Sequence, residues 1–352
     1  MTWSPVSLPV EHWPEVDRDL WRLAQAPAAF LEPDKPASQW TPDSQAMVEW
    51  AYGRWLGFLD RSQALDPSGT PGERATKARL GEFVVELQAR VSPVTTAMMV
   101  GGLLRMLAVL EPKRDWTFLQ QAYRHLKRTA TPSRDKLSRM VSAAELFDLG
   151  LRLMDTWDAA PQPLHKATRY RNGLLIALLI CCPIRLKNLA GLVIGRHLIC
   201  DGNDYRIELT AEETKTGRPH VADLPRELSP YIDHWLQVHR PTLQLIASEK
   251  VEAGGHLWID CRGNPMSGRT IQRAIAWWTE QTFGKAIRPH LFRDCAVTEL
   301  VDVAPEQVGI AADLLGHADF RTTRKHYIQA HGMTAHLRVQ EMIARRRAAA
   351  RG

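Results

Sequence analysis

Near residue 194 the apolar pattern of this chain changes period, and that change restricts the fold more than any other feature. From 141 to 194 the spacing is helical. His197–Cys200, the tight turn Asp201-Gly-Asn-Asp204 and Tyr205–Thr210 then alternate as two strands of a hairpin. A third strand, His220–Leu224, follows a turn at Lys215-Thr-Gly217. Helical spacing resumes after Pro225 and again from about Gly268, with Leu257–Asp260 a further short strand between them. The expected fold is mainly α with a small antiparallel β-sheet. The longest apolar run, Gly173 to Ile184, falls short of the roughly 20 residues that span a bilayer and reads as a buried core helix.

At 352 residues the chain has room for roughly two domains. Residues 1–36 carry several prolines, Trp3, Trp13 and an acidic excess, and read as an arm of unknown role that packs on something else. Thr41-Pro42 and Ser92-Pro93 each join a capping hydroxyl to a proline at the first helical position. With helical stretches around 73–89 and 115–129, they outline a four-helix domain over 37–130. Residues 131–140 read as a polar linker, after which Ser142-Ala-Ala-Glu145 is a capping-box signature opening a second domain over 141–330. No fixed-period repeat stands out.

A composition of 45% hydrophobic and 24% charged residues places the chain among ordinary soluble globular proteins. Its net charge of +6 is compatible with a polyanionic partner without requiring one. Between Lys113 and Arg139 eight Lys/Arg face two Asp, an excess as large as that of the whole chain. Arg124, Lys127 and Arg128 share one helical face, and Arg134, Lys136 and Arg139 extend the basic run. Such a run is either a solvated surface or a phosphate-contacting one. The five cysteines include no Cys-x-x-Cys pair, and most lie in apolar segments, where a free thiol acts as a small hydrophobe. They point to a reducing cytoplasm and to no metal. No basic region precedes an apolar stretch at the N-terminus, so neither a secretory signal nor a membrane location is expected.

Six residues can carry chemistry, and each alone also has an ordinary structural reading. Arg185 follows the apolar helix; it is either a solvated helix-end residue or a guanidinium placed to hold two phosphate oxygens. Arg293 is its natural mate, since two arginines on one phosphate would supply the largest electrostatic contribution. Lys215 sits at a hairpin tip, where lysine is common. His290 lies one helical turn before Arg293 and can face the same phosphate or simply start a helix. His317 can cap a helix, and Tyr327 can be a core aromatic.

Taken together, Arg185, Lys215, the His290-Leu-Phe-Arg293 box, Leu315-Gly316-His317 and Tyr327 resemble the tyrosine recombinase (phage integrase) family in order and separation. Arg185 and Arg293 are 108 residues apart, and Arg293 and His317 24 apart. The resemblance is strongest from about 165 to 330, and 38–130 looks like the family's core-binding domain by layout. Three positions depart: Asn188 stands where an acid is frequent, Asp294 where histidine is common, and Tyr327 lies one residue further from His317 than in many relatives.

The resemblance implies a site-specific recombinase or integrase needing no cofactor. Tyr327 would attack the scissile phosphate to form a 3′-phosphotyrosyl link. Arg185, Arg293 and His317 would hold the phosphate, His290 would act as base, and Lys215 would protonate the leaving 5′ oxygen. It also implies a double-stranded DNA partner, a tetramer on two DNA sites, accessory DNA-bending or directionality proteins, and a C-terminal tail helix over 331–352 that exchanges between protomers. Two rival readings are strand relaxation of the type IB topoisomerase kind and a catalytically silent DNA-binding regulator. A silent binder has no need of Tyr327.

Overall fold

The structure, a computed structural model, describes residues 6–27, 33–131, 137–246 and 254–303. The chain divides into two compact units, Met1–Asp135 and Lys136–Gly352.

The first unit is helical: α1 (Glu15–Gln25), α2 (Pro42–Arg61), the single turn α3 (Pro71–Arg74), α4 (Lys77–Arg90), α5 (Pro93–Leu110) and α6 (Thr117–Thr129). The hydroxyls of Thr41 and Ser92 accept from the backbone N–H groups of Ser44 and Thr95, and Pro42 and Pro93 open the helices behind them. Trp55, Phe58 and Phe83 pack together at the centre. Helix α5 is long and apolar enough to cross a membrane by length and composition, and Val100, Leu103, Met106 and Leu107 on it are buried in this same core.

The described residues before Pro36 contribute to the core of the first unit. Trp13 and Trp21 belong to the core of the first unit. Asp17 on α1 is fully buried, accepts from the Tyr52 hydroxyl at 2.7 Å and pairs with the buried guanidinium of Arg74. A buried carboxylate needs such partners, because desolvation opposes its charge.

The second unit contains a helix opened by a capping box. In α7 (Ala143–Asp155) the Ser142 hydroxyl and the Glu145 carboxylate cap each other's backbone N–H groups. α7 packs along α8 (Pro163–Cys181), and a Cβ on Gly150 would lie 2.7 Å from the Ala177 methyl, so glycine sets how close the helices come. After the short α9 (Leu186–Ala190) the chain forms β1 (Leu198–Asp201), β2 (Asp204–Leu209) and β3 (His220–Asp223), an antiparallel sheet in the order β1-β2-β3. Leu198 pairs with Ile207, and Ile207 with Ala222. Tyr205, Ile207 and Leu209 turn inward from β2, while Gly202 takes a φ of +63° in the β1–β2 turn.

Helices α10 (Ser229–His234) and α11 (Arg240–Ile246) are joined by a π-helical segment, Trp235–His239. They are followed by α12 (Gly268–Phe283) and α13 (Pro289–Val303). Leu257–Asp260, expected as a short strand, is not one of the named strands. Ile259 forms an isolated bridge to Pro265, the preceding His256 bridges Val193, and the segment's hydrogen bonds include one to Leu192 and a local turn at Asp260–Asn264. Leu257, Trp258 and Ile259 are wholly buried, and that burial produces the same apolar letters as a strand.

Candidate active site

Helix α8 is apolar from Gly173 to its end at Cys181, after which the chain passes through Pro183 and Ile184 to Arg185, the N-cap of α9. Arg293 lies in the second turn of α13 and donates from Nη1 to the Pro183 carbonyl, tying α13 to this connection. The two guanidinium groups therefore share one cleft. Burial, and then the neighbouring charge of Arg185, push Arg293 down to about 10, which leaves it cationic at neutral pH. Two cations held side by side, one largely out of water, raise the energy of the empty cleft and favour an anion between them.

The opposite wall is the β2–β3 connection. Thr214, Thr216, Arg218 and His220 from this segment line the cleft, with Asn188 from α9 beside them. Lys215 is exposed on the same turn. Gly217, at φ +64°, lets the chain reverse there. Asn188 Nδ2 donates to the Glu213 carbonyl at 2.8 Å, a bond that an ionised acid at this position could not make.

His290 lies in the first turn of α13, ahead of Arg293. Its side chain is 79% exposed, with Nε2 3.9 Å from the Asp294 carboxylate, and it is not among the residues lining the cleft. Asp294, the departure noted from the sequence, thus stands beside the histidine at the start of α13.

A histidine overlooked in the sequence, His220, does line the cleft. Its Nε2 is 3.6 Å from Cys182 Sγ, and burial together with Arg293 lowers its pKa. Only the third-strand pattern touched this residue in the sequence. Burial pushes the Cys182 thiol up to about 12, so it stays a neutral neighbour.

His317 and Tyr327 lie outside the described residues, as do Arg134, Lys136 and the tail over 331–352. On α6, Arg124, Lys127 and Arg128 are all exposed. Arg139 is committed within the second unit, donating from Nη2 to the Ala286 carbonyl.

Comparison with known proteins gives the family and the fold. A family model described as "Phage integrase family" matches residues 151–332, more than half of the chain. The tyrosine recombinase XerC of Pseudomonas entomophila (strain L48) is 27% identical over 154 residues, which are 44% of this chain and 46% of that one. The chain thus matches about half the length of that relative. Among solved structures, XerH site-specific recombinase bound to palindromic difH substrate, in a post-cleavage complex, aligns with a TM-score of 0.56 at 14% identity over 92% of this chain and 96% of that chain. Its pre-cleavage complex with difH substrate gives 0.55 at 15% identity over 81% and 76%. These likenesses show the same fold.

Proposed function

Because this chain belongs to the phage integrase family, we propose that it is a site-specific DNA recombinase that cleaves and rejoins duplex DNA through a 3′-phosphotyrosyl intermediate. The observation that supports this most is the pairing of Arg185 with Arg293 in one cleft, opposite the turn that carries Lys215. A scissile phosphate between the arginines would have its non-bridging oxygens held by planar forks. The Tyr327 oxygen forms the new bond to phosphorus, the bond to the 5′ oxygen breaks, and Lys215 supplies the proton that the departing alkoxide takes up. Attack by a partner's 5′-hydroxyl reverses each transfer, so the bond energy is conserved and no nucleotide cofactor is consumed.

The phenol needs a base, since at pH 7 only about one tyrosine in a thousand is ionised. We assign that role to His290, which must turn from the Asp294 side toward the cleft when DNA binds. His317 is the third phosphate ligand in this reading. The first unit serves as the core-binding domain, and four protomers assemble on two DNA sites in the cytoplasm, with accessory DNA-bending or directionality proteins as further partners.

Covalent capture tests the reading and finds the substrate together. A pool of nicked random-sequence duplexes is incubated with the protein, and the DNA that stays attached after denaturation is sequenced. Wild type should retain a restricted sequence set, and Tyr327→Phe should retain none while still binding duplex. Covalent attachment by the variant would place the nucleophile elsewhere, and relaxation of a supercoiled plasmid with no exchange between sites would favour a topoisomerase.

A further inference from the structure

The Lys215 turn is fastened chiefly by groups that do not line the cleft. Glu213, two residues before the lysine, accepts at Oε1 from His197 Nε2 at 2.9 Å and from Arg196 Nη2 at 2.6 Å, and at Oε2 from the Thr210 backbone N–H at 3.0 Å. His197 is buried, and its Nδ1 accepts from the Val193 N–H at 3.0 Å. Nδ1 therefore carries no proton, and the ring must present its N–H to Glu213. On the main-chain side, Glu213 is held to α9 through Asn188. Immediately beyond it, the Thr214 hydroxyl accepts from the Arg218 N–H at 3.1 Å and closes the loop around Lys215.

Every group that fixes Glu213 is rooted in the segment 188–210, and none of them is Lys215 itself. An exposed lysine on a two-strand connection has considerable side-chain freedom and ordinarily also a mobile backbone. Here the backbone is pinned at Glu213 and again at Thr214–Arg218. We infer that His197 and Glu213 are a positioning pair that sets the Lys215 turn, so that the lysine meets the leaving 5′ oxygen in register with the arginines. The Glu213 carboxyl, held down to about 2 by the Thr210 N–H and then by His197, stays an acceptor across the working pH range.

This inference rests on the proposed cleavage reaction and on Lys215 as its acid. The test uses the full chain and the nicked duplex recovered by covalent capture, made in two forms: an ordinary phosphodiester and a 5′-bridging phosphorothiolate, whose sulfur leaves without an acid. Glu213→Gln puts an amide NH₂ against either Thr210 or His197, and His197→Leu removes the donor outright. Both variants should cleave the ordinary duplex about tenfold or more slowly, within the range by which misplaced acids impair reactions, and recover on the phosphorothiolate. Lys215→Ala is run in parallel and should show the same rescue.

Rescue of Lys215→Ala without rescue of the Glu213 and His197 variants would overturn the positioning role and leave the reaction standing. Failure of Lys215→Ala to be rescued would instead remove the acid assignment on which the inference depends. Should His197→Leu not fold, Glu213→Gln, which keeps size and shape, decides the matter alone. Wild-type cleavage of the ordinary duplex by Glu213→Gln would sink the idea.

Discussion

Arg293 takes the plane of its guanidinium from the backbone, because Nη1 donates to the Pro183 carbonyl in the connection that leads to Arg185. Lysine would keep the charge but has no fork with which to hold a carbonyl and a phosphate together. We therefore expect Arg293→Lys to bind duplex nearly as well as wild type but to cleave about 10²–10³-fold more slowly, as when one oriented charge-stabilising donor is removed. Single-turnover cleavage beside a binding titration checks this, and undiminished cleavage would mean that charge without geometry suffices. The sequence marked Arg185 and Arg293 as mates, and in the structure both line one cleft. His220 and the Pro183 contact were not legible in the sequence, since they arise between residues 38 and 110 positions from their partners, where only folding creates the proximity. His290 was legible as a letter, but its exposure beside Asp294 was not.

Among the elements, helix boundaries read well where a hydroxyl and a proline meet, as at Thr41-Pro42 and Ser92-Pro93. The anchor of the N-terminal segment left no mark in the sequence, since it is a pair 57 residues apart, Asp17 with Arg74. Removing one partner of a buried ion pair strands the other, so Asp17→Ala should lower stability by about 3–5 kcal/mol, measured by denaturant unfolding of the full chain. A decrease of no more than about 1 kcal/mol would mean that the Asp66 and Gly69 carbonyls, which also accept from Arg74, compensate for its charge. The π-helical segment Trp235–His239 left no trace in the sequence pattern either. It turns His239 inward against Trp157 and Tyr170, with ring centroids 4.7 and 4.2 Å away. Burial, and secondarily His234, push His239 down to about 4 from an ordinary value of 6.5. Between those values the unfolded chain binds a proton that the folded chain refuses, so stability present above about pH 6.5 is lost as pH falls toward 4. Melting temperature should drop from pH 7 to pH 5, and His239→Leu should flatten that slope. Equal slopes in both proteins would mean that His239 takes up its proton alike in the folded and unfolded chain.

For the whole molecule, the small net charge of +6 conceals an uneven distribution, since the stretch from Lys113 to Arg139 alone has an excess of that size. Within it the described side chains divide by role. Arg139 donates to the Ala286 carbonyl, which is a structural use. Arg124, Lys127 and Arg128 remain exposed on one face of α6, whose inward side is held by Leu119. Lys127 additionally lies over the Tyr123 ring, 5.8 Å from its centroid, which restrains its stem without neutralising its charge. A face of this kind can serve as a phosphate contact, and such contacts release counterions from the duplex whatever its sequence. Replacing all three residues with alanine should therefore weaken binding to unrelated duplexes by similar factors. It should also reduce the slope of log affinity against log salt by roughly 0.9 for each phosphate that is no longer neutralised. Melting should shift little, because these side chains are outside the core. A salt titration on two unrelated duplexes decides between the alternatives. An unchanged slope would return the face to ordinary solvation, and weakening confined to one sequence would point to base recognition instead of phosphate neutralisation.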